Sequence, residues 1–309
     1  MKLRSASLLD LSRIEQIHRE AEARFSPVAP PARLWGLVSQ TLSAILPLSQ
    51  ETLLFVAEDR GRVIGFVQAS GRPLTLSLPA KASTLQVLNL CVAADADEQE
   101  VSTALVEHLV EYAGRGVHRL FVRIPLDDPL LRVFRIQGFR QYATETVVYA
   151  EQPEPRSDAT PFGLRTMRAR DSRLLYQLYR KVTPRLVATL EAPTYRDWRA
   201  LRATPGEQEL VERVEVVAWC GVQRSRQARP HLLSLMALPE AGLADEVADH
   251  ALVAVRGEPV WSSLRHYDAH MIDALRGRGF ELLLTQALLV RELTVREPVT
   301  ESGLVPSFG

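Results

Sequence analysis

The sequence is poor in cysteine and in long apolar runs, and it carries no excess of charge. Two cysteines, Cys91 and Cys220, occur in 309 residues, too few for a disulfide framework or a cysteine-built zinc site. Lys+Arg and Asp+Glu both number 37, so the net charge is zero and gives no long-range attraction to nucleic acid or anionic membranes. No stretch approaches about 18 uninterrupted apolar residues, and the first residues lack a signal-peptide core. We expect a cytoplasmic protein that binds neither nucleic acid nor membranes.

The sequence repeats itself once. Hydrophobic residues make up 46% and charged residues 24%, which is typical of globular domains, and the length predicts about two domains. At a constant offset of 161, Leu3-Arg4, Asp10 and Gln16 recur as Leu164-Arg165, Asp171 and Gln177. A polar segment with two prolines, Glu151–Asp158, separates the copies. We therefore predict domains at residues 1–150 and 161–296, a linker at 151–160 and a tail at 297–309.

Both copies show the same order of strands and helices. Period-two and helical patterns in the first copy predict β-α-α-β-β-β-α-β-α-β-β. The elements that matter below are a helix after the cap Asp10, a second helix near 33–46, a strand Leu85–Val92, a helix Ser102–Ala113 and a closing hairpin Phe139–Tyr149. In the second copy their counterparts include a strand His231–Leu238, a helix Leu243–Val255 and a closing hairpin Phe280–Leu293. The predicted fold class is α/β, a mixed sheet with helices on both faces, made twice.

This order, with Gly138-Phe139 and Gly279-Phe280 after the last helix of each copy, resembles the GNAT-type N-acetyltransferase superfamily in a tandem form. The resemblance implies two GNAT-like acyl-CoA N-acyltransferase domains. It also implies acetyl-CoA or another acyl-CoA as co-substrate, lying where the strand Leu85–Val92 splays from its neighbour. The reaction it implies is direct transfer of the acyl group to an amine of a small molecule or peptide, without a metal. A homodimer is compatible with it.

The family's phosphate-binding loop, of the form (Gln/Arg)-x-x-Gly-x-(Gly/Ala), is degenerate in the first copy. Asp97-Glu98 stands where the family has its Arg-Gly, and Glu100 and Ser102 replace the later glycines. Carboxylates repel a diphosphate but stabilise a helix N-terminus. We therefore predict that they cap the helix and that this copy binds no CoA in the family's manner. Leu90 and Val92 are the remaining first-copy candidates for cofactor contact.

The second copy keeps one glycine of that loop and loses the basic residue. Leu238, Gly242, Leu243 and Ala244 are its candidate cofactor-binding residues, because the amides of a helix N-terminus attract phosphate. Glu240, Asp245 and Glu246 place negative charge nearby.

The catalytic tyrosine of the family falls on Phe134 and Leu275, neither of which donates a proton. Tyr267 is the candidate replacement acid and Glu215 the candidate base. His266 and His270 have a chelating spacing but no evident third ligand, so no metal is assigned. The alternative function is a non-catalytic tandem module that binds a partner protein or another ligand through the same fold.

Overall fold

A computed structural model describes residues 1–22, 52–71, 84–114, 117–201, 206–225 and 230–293. The strands are β1 (Lys2–Ser5), β2 (Thr52–Asp59), β3 (Arg62–Gly71), β4 (Thr84–Val92), β5 (Arg119–Pro125), β6 (Arg140–Ala150), β7 (Leu164–Thr166), β8 (Glu207–Glu212), β9 (Val216–Gln223), β10 (His231–Ala237), β11 (Val260–Arg265) and β12 (Glu281–Glu292). The helices are α1 (Leu11–Glu22), α2 (Glu98–Ala113), α3 (Leu130–Ile136), α4 (Ser172–Val182), α5 (Arg185–Glu191), α6 (Tyr195–Leu201), α7 (Ala244–Val253) and α8 (Ala269–Arg276). The predicted mixed α/β fold is confirmed.

All described strands join one sheet in the order β1-β2-β3-β4-β5-β12-β6-β11-β10-β9-β8-β7. Two neighbouring pairs, β4 with β5 and β10 with β11, are parallel, and the others are antiparallel. From one edge of the sheet inward, the strands of the first half follow the order β1-β2-β3-β4-β5. From the other edge inward, the strands of the second half follow the equivalent order β7-β8-β9-β10-β11. The two copies therefore meet in the middle of the sheet through β6 and β12.

The closing strands of the two halves are exchanged. β12 lies between β5 and β6, and β6 lies between β12 and β11. The predicted closing hairpins Phe139–Tyr149 and Phe280–Leu293 are therefore wrong, since each stretch is part of one continuous strand. The physical reason is visible in the sequence, because neither stretch contains a Gly, Pro, Asn or Asp with which to turn.

The helices cover the two faces of the sheet. Buried side chains of α2, including Leu105 and Leu109, pack in the first core, and those of α7, including Val247 and Leu252, pack in the second. The sequence prediction missed α5, which follows Pro184. The predicted helix near 33–46 and the tail at 297–309 lie outside the described residues. Within the part of the chain that the structure describes, no helix is both long and apolar enough to cross a bilayer.

The start of α1 differs from the prediction in one detail. Asp10 is not the N-cap residue, because a short 3-10 turn, Leu8–Asp10, precedes the helix and Ser7 caps that turn. The Asp10 carboxylate reaches back to accept hydrogen bonds from the Ser7 N–H at 2.7 Å and from Arg4 at 2.7 and 2.9 Å. By binding Arg4 of the preceding strand, the aspartate therefore fixes how the chain passes from β1 into the helix.

Candidate functional site

Each half has a gap at the C-terminal end of its parallel strand pair. β4 and β5 pair only from Thr84 to Gln86, although β4 continues to Val92. β10 and β11 pair only from His231 to Leu233, although β10 continues to Ala237. The predicted splay is therefore present, and it occurs in both copies.

The N-terminus of α2, beside the first gap, is closed by a carboxylate. Asp97 is the N-cap residue, and its Oδ1 accepts the Glu100 N–H at 2.9 Å. The prediction that an acidic residue caps this helix is confirmed for Asp97, although the helix begins at Glu98 and not at the predicted Ser102. An amide that would serve a phosphate already has its partner. Leu90 is half-buried against the first core, whereas the Val92 side chain is buried.

A cavity of about 470 Å³ lies beside this helix N-terminus, between α2 and α3. Glu98 and Asp128 line it together with Arg132 and Arg135. Burial raises the pKa of Asp128, and the charges of Glu98 and Asp127 raise it further. The local field therefore already disfavours additional negative charge at Asp128.

The matching loop of the second half is built differently. A 3-10 turn, Pro239–Ala241, leads to Gly242 in the left-handed conformation with φ of +63°, and Leu243 is the N-cap residue of α7 without a side-chain cap. A side chain at Gly242 would meet open space. The first amides of α7, beginning at Ala244, have no intrahelical partner and no capping side chain. Leu238 and Leu243 are buried, so they offer backbone only.

The negative charge near this loop is partly neutralised by Arg278. Its Nη1 donates to Asp245 Oδ1 at 2.7 Å and its Nη2 to the Asp245 carbonyl at 2.9 Å. Its Nε donates to Asp249 Oδ1 at 2.5 Å. Arg278 is only 3% exposed and its contact with Asp249 is buried, whereas the Asp245 side chain is largely exposed to solvent. The repulsion that the sequence predicts from Asp245 is correspondingly weaker.

Both predicted catalytic side chains contact the C-terminal end of α4. Glu215 lies in the turn between β8 and β9 and forms an ion pair with Lys181. Tyr267 lies in the 3-10 turn His266–Asp268 after β11 and is hydrogen-bonded to Thr183. Burial raises the pKa of Tyr267 well above its ordinary value. Because β10 separates β9 from β11, the two side chains start from strands about 10 Å apart.

A polar cluster that the sequence analysis missed surrounds the end of β11. The Arg265 Nη2 donates to Glu191 Oε1 at 3.0 Å, and the Tyr142 hydroxyl donates to the same oxygen at 2.6 Å. Glu145 of β6 pairs across the sheet with Arg265 and accepts hydrogen bonds from Ser263 and, at 3.0 Å, from Gln286. Tyr142 and Glu145 come from the first half, so the cluster joins the two copies.

The positive charges of this cluster stabilise its buried carboxylate. Burial would raise the pKa of Glu145, but Arg123 and Arg265 hold it below its usual range. One sign of the cluster is present in the sequence. Near the end of each copy the repeat has an offset of 141, which relates Gly138 to Gly279, and the same offset relates Glu145 to Gln286.

The remaining predicted positions have structural surroundings. Phe134 and Leu275, at the positions of the family's tyrosine, are 1% and 0% exposed. His266 contacts the Thr144 backbone, whereas His270 Nε2 lies 3.1 Å from the Ala237 carbonyl oxygen, so the two histidines contact different strands. Among the described residues no group of three or more metal-ligating side chains is present.

The comparisons with known proteins agree with this geometry. Residues 14–139 match the acetyltransferase (GNAT) family. A tandem GNAT protein from the clavulanic acid biosynthesis pathway has a similar structure, with a TM-score of 0.61, 17% identity, and 94% of this chain and 98% of that chain covered. A GCN5-related N-acetyltransferase from Sphaerobacter thermophilus is similar with a TM-score of 0.60, 16% identity and 96% of both chains covered. No curated protein matches the sequence significantly.

The family match falls on the first half, the copy whose helix N-terminus is capped by Asp97. The structural similarity extends over nearly the whole chain. Residues 14–139 thus match the acetyltransferase (GNAT) family model, and the fold of the whole chain is similar to that of a tandem GNAT protein.

Proposed function

We propose that the protein is an acyl-CoA-dependent N-acyltransferase whose second half binds acetyl-CoA or a related acyl-CoA. The fold supports acyl transfer from acyl-CoA in general terms. The observation that favours the second half is the contrast between the two helix N-termini: Asp97 caps α2, whereas Leu243 leaves the first amides of α7 without a side-chain partner. Uncapped amides and the positive end of the helix dipole suit a diphosphate.

In this proposal the residues at the end of the second gap have separate roles. The backbone from Leu238 to Ala244 contacts the co-substrate, with Gly242 permitting close approach because it lacks a side chain. The co-substrate supplies a thioester as the activated acyl group. Tyr267 is positioned after β11 as the proton donor to the departing sulfur, and Glu215 is the candidate base predicted from the sequence.

A non-catalytic module remains the second candidate, and a specific observation favours it for the first half. The Asp97 cap takes up an amide that a phosphate would need in that copy, whereas the tyrosine is replaced in both halves, by Phe134 and by Leu275. In this case the first half would serve as a scaffold or as a surface for a partner.

Calorimetric titration of the whole protein with acetyl-CoA and with free CoA, at low and physiological salt, tests the proposal. We expect salt-sensitive binding that Gly242→Glu abolishes, because a carboxylate then faces the diphosphate. Gly242→Asn is the matched control: it places a neutral side chain at the same positive φ, so it separates backbone strain from charge.

A first-half control uses Ala96, which aligns with Gly242 when Val92 is aligned with Leu238. Ala96→Glu is expected to leave binding unchanged. Equal loss of binding in Gly242→Asn and Gly242→Glu would attribute the effect to strain, and loss in Ala96→Glu would move the site to the first half. Absence of binding to wild-type protein at millimolar ligand would refute the transferase function and favour the module.

A further inference from the structure

The turn between β11 and α8 lies across the open end of the second gap. Residues His266–Asp268 form this turn directly after Arg265, the last residue of β11. The His270 ring is 3.1 Å from the carbonyl oxygen of Ala237, the last residue of β10. Since this contact ties the first turn of α8 to the end of β10, Asp268, the residue that directly precedes α8, lies close to the ends of the two splayed strands.

Asp268 is a partly buried carboxyl without a salt-bridge partner. No ion pair within the described ranges includes it. Burial raises its pKa to about 7, while the backbone of Arg265 and the charge of Arg265 oppose that shift.

Two histidines flank Asp268, and they contact backbone groups, His266 at Thr144 and His270 at Ala237. The remaining ionisable groups around this turn are paired, hydrogen-bonded or uncharged at neutral pH. Arg265 of β11 is paired with Glu191 of α5, and Glu145 of β6 bonds to its neighbours across the sheet. Tyr267 has a raised pKa and stays a phenol. Asp268 is therefore the carboxyl in this cluster whose protonation is free to change near neutral pH.

The same cluster contains an unsatisfied donor. The Nη1 atom of Arg265 is buried and has no hydrogen-bond partner. A buried guanidinium N–H without a partner is costly unless a ligand or water completes it. This orphaned donor, independent of the carboxyl, indicates that the end of β11 is built to receive a polar group.

We propose that Asp268 is the general base of the second half, which takes a proton from the ammonium group of the acceptor. The inference rests on the transferase function proposed above and replaces Glu215 in that role. Glu215 is ion-paired with Lys181 in an exposed turn between β8 and β9, and neither of these strands borders the second gap.

Residues at this turn account for both protons that the acceptor nitrogen loses. Asp268 accepts one proton from the ammonium and later releases it to solvent. The neutral amine then attacks the acyl carbon, so a C–N bond forms and the C–S bond breaks. The second proton that the nitrogen loses reaches the sulfur through the Tyr267 phenol. An amide and a free thiol result, with one proton released.

Kinetic pH profiles of wild type, Asp268→Asn and Asp273→Asn test this assignment. Asp268→Asn is expected to lower kcat/KM at pH 8 by about 10²–10⁴-fold and to remove the rise in rate near pH 7, with acetyl-CoA affinity unchanged. Asp273→Asn, an exposed change on α8, is expected to keep both the rate and the profile.

A second readout does not depend on activity. Because the pKa of Asp268 is raised from 3.8 to about 7 on folding, wild type loses stability as the pH rises between these two values. Asp268→Asn is therefore expected to raise the thermal midpoint relative to wild type most at pH 8, less at pH 5 and not at pH 3. If wild type turns over and Asp268→Asn retains the rise near pH 7, the Asp268 assignment is overturned while the transferase function stands. If wild type binds acetyl-CoA but acylates no amine, the transferase function fails and this inference fails with it.

Discussion

At the scale of single residues, the same arginine–aspartate pair occurs at the start of both halves. Arg165 donates to Asp171 at 2.6 and 3.1 Å, and the Asp171 carboxylate also accepts the Arg168 N–H at 2.7 Å. Arg4 and Asp10 repeat this arrangement at the start of the first half. Each pair links the first strand of a copy to its first helix, which explains why the repeat in the sequence is clearest at these residues.

We predict that Asp171→Asn destabilises the protein at neutral pH. The Arg165 guanidinium holds the pKa of Asp171 at about 2, below an unfolded value of 3.8. The unfolded state therefore binds more protons between these values, and the stabilisation is present above pH 4 and is lost as the pH falls through about 2. The expected loss at pH 7 is about 2 kcal/mol.

Urea unfolding of wild type and Asp171→Asn between pH 2 and pH 7 checks this prediction. The two midpoints should converge toward pH 2. Asp273→Asn is the matched control, since Asp273 is exposed. Curves that stay separated by the same amount down to pH 2 would mean that ionisation of Asp171 is not the source of its contribution.

Some features of the candidate site could be predicted from the sequence and others could not. The Asp97 cap could, because capping depends on residues three positions apart. The partners of Arg265 could not, since Glu191 is 74 residues away and Glu145 lies in the other half. The burial of Asp268 could not, because it depends on how α8 packs against β10.

At the scale of elements, the exchange of β6 and β12 decides how the two halves hold together. β12 pairs with β5 over seven residues, from Gln286 to Glu292, and β6 pairs with β11 over six, from Glu145 to Ala150. The extended character of β6 and β12 could be predicted because apolar alternation is local, but each was predicted to fold back as a hairpin. Their neighbours in the sheet could not be predicted, because a strand pattern does not say which edge it will join.

We predict that cutting the chain between the halves leaves them associated. A protease site inserted after Gln152, an exposed residue beyond β6, would separate the halves covalently without touching a strand. Each fragment would still hold a strand inside the other fragment's sheet, so both are expected to co-elute in size-exclusion chromatography. The same digest in urea should separate them.

Fragments that part under native conditions would contradict the exchange. In that case each half would have to close its own sheet with its own last strand. Hydrogen exchange gives a second check, because amides of Leu288 and Leu289 should remain protected after cleavage if β12 stays buried between β5 and β6.

At the scale of the whole molecule, two copies of one fold have become unequal at matching positions. Aligning Val92 with Leu238 places Asp97 against Leu243, so the same N-cap position carries a capping carboxylate in one half and a buried apolar side chain in the other. The first half in turn gives Tyr142 and Glu145 to the cluster beside the second gap. Under the proposed function, the first half supports the site and the second half binds the co-substrate.

The difference between the two helix N-termini predicts that each chain binds one molecule of acyl-CoA. In calorimetry of the intact protein, acetyl-CoA should bind with a stoichiometry of one, and Gly242→Glu should remove that site without exposing another. Asp97→Ala should cost about 1 kcal/mol of stability through loss of the cap and leave the stoichiometry at one, because Glu98 and Glu100 still face the first loop. Two sites in wild type would show that a diphosphate displaces the Asp97 carboxylate. A second site that arises only in Asp97→Ala would show instead that this one side chain is what keeps the first half empty.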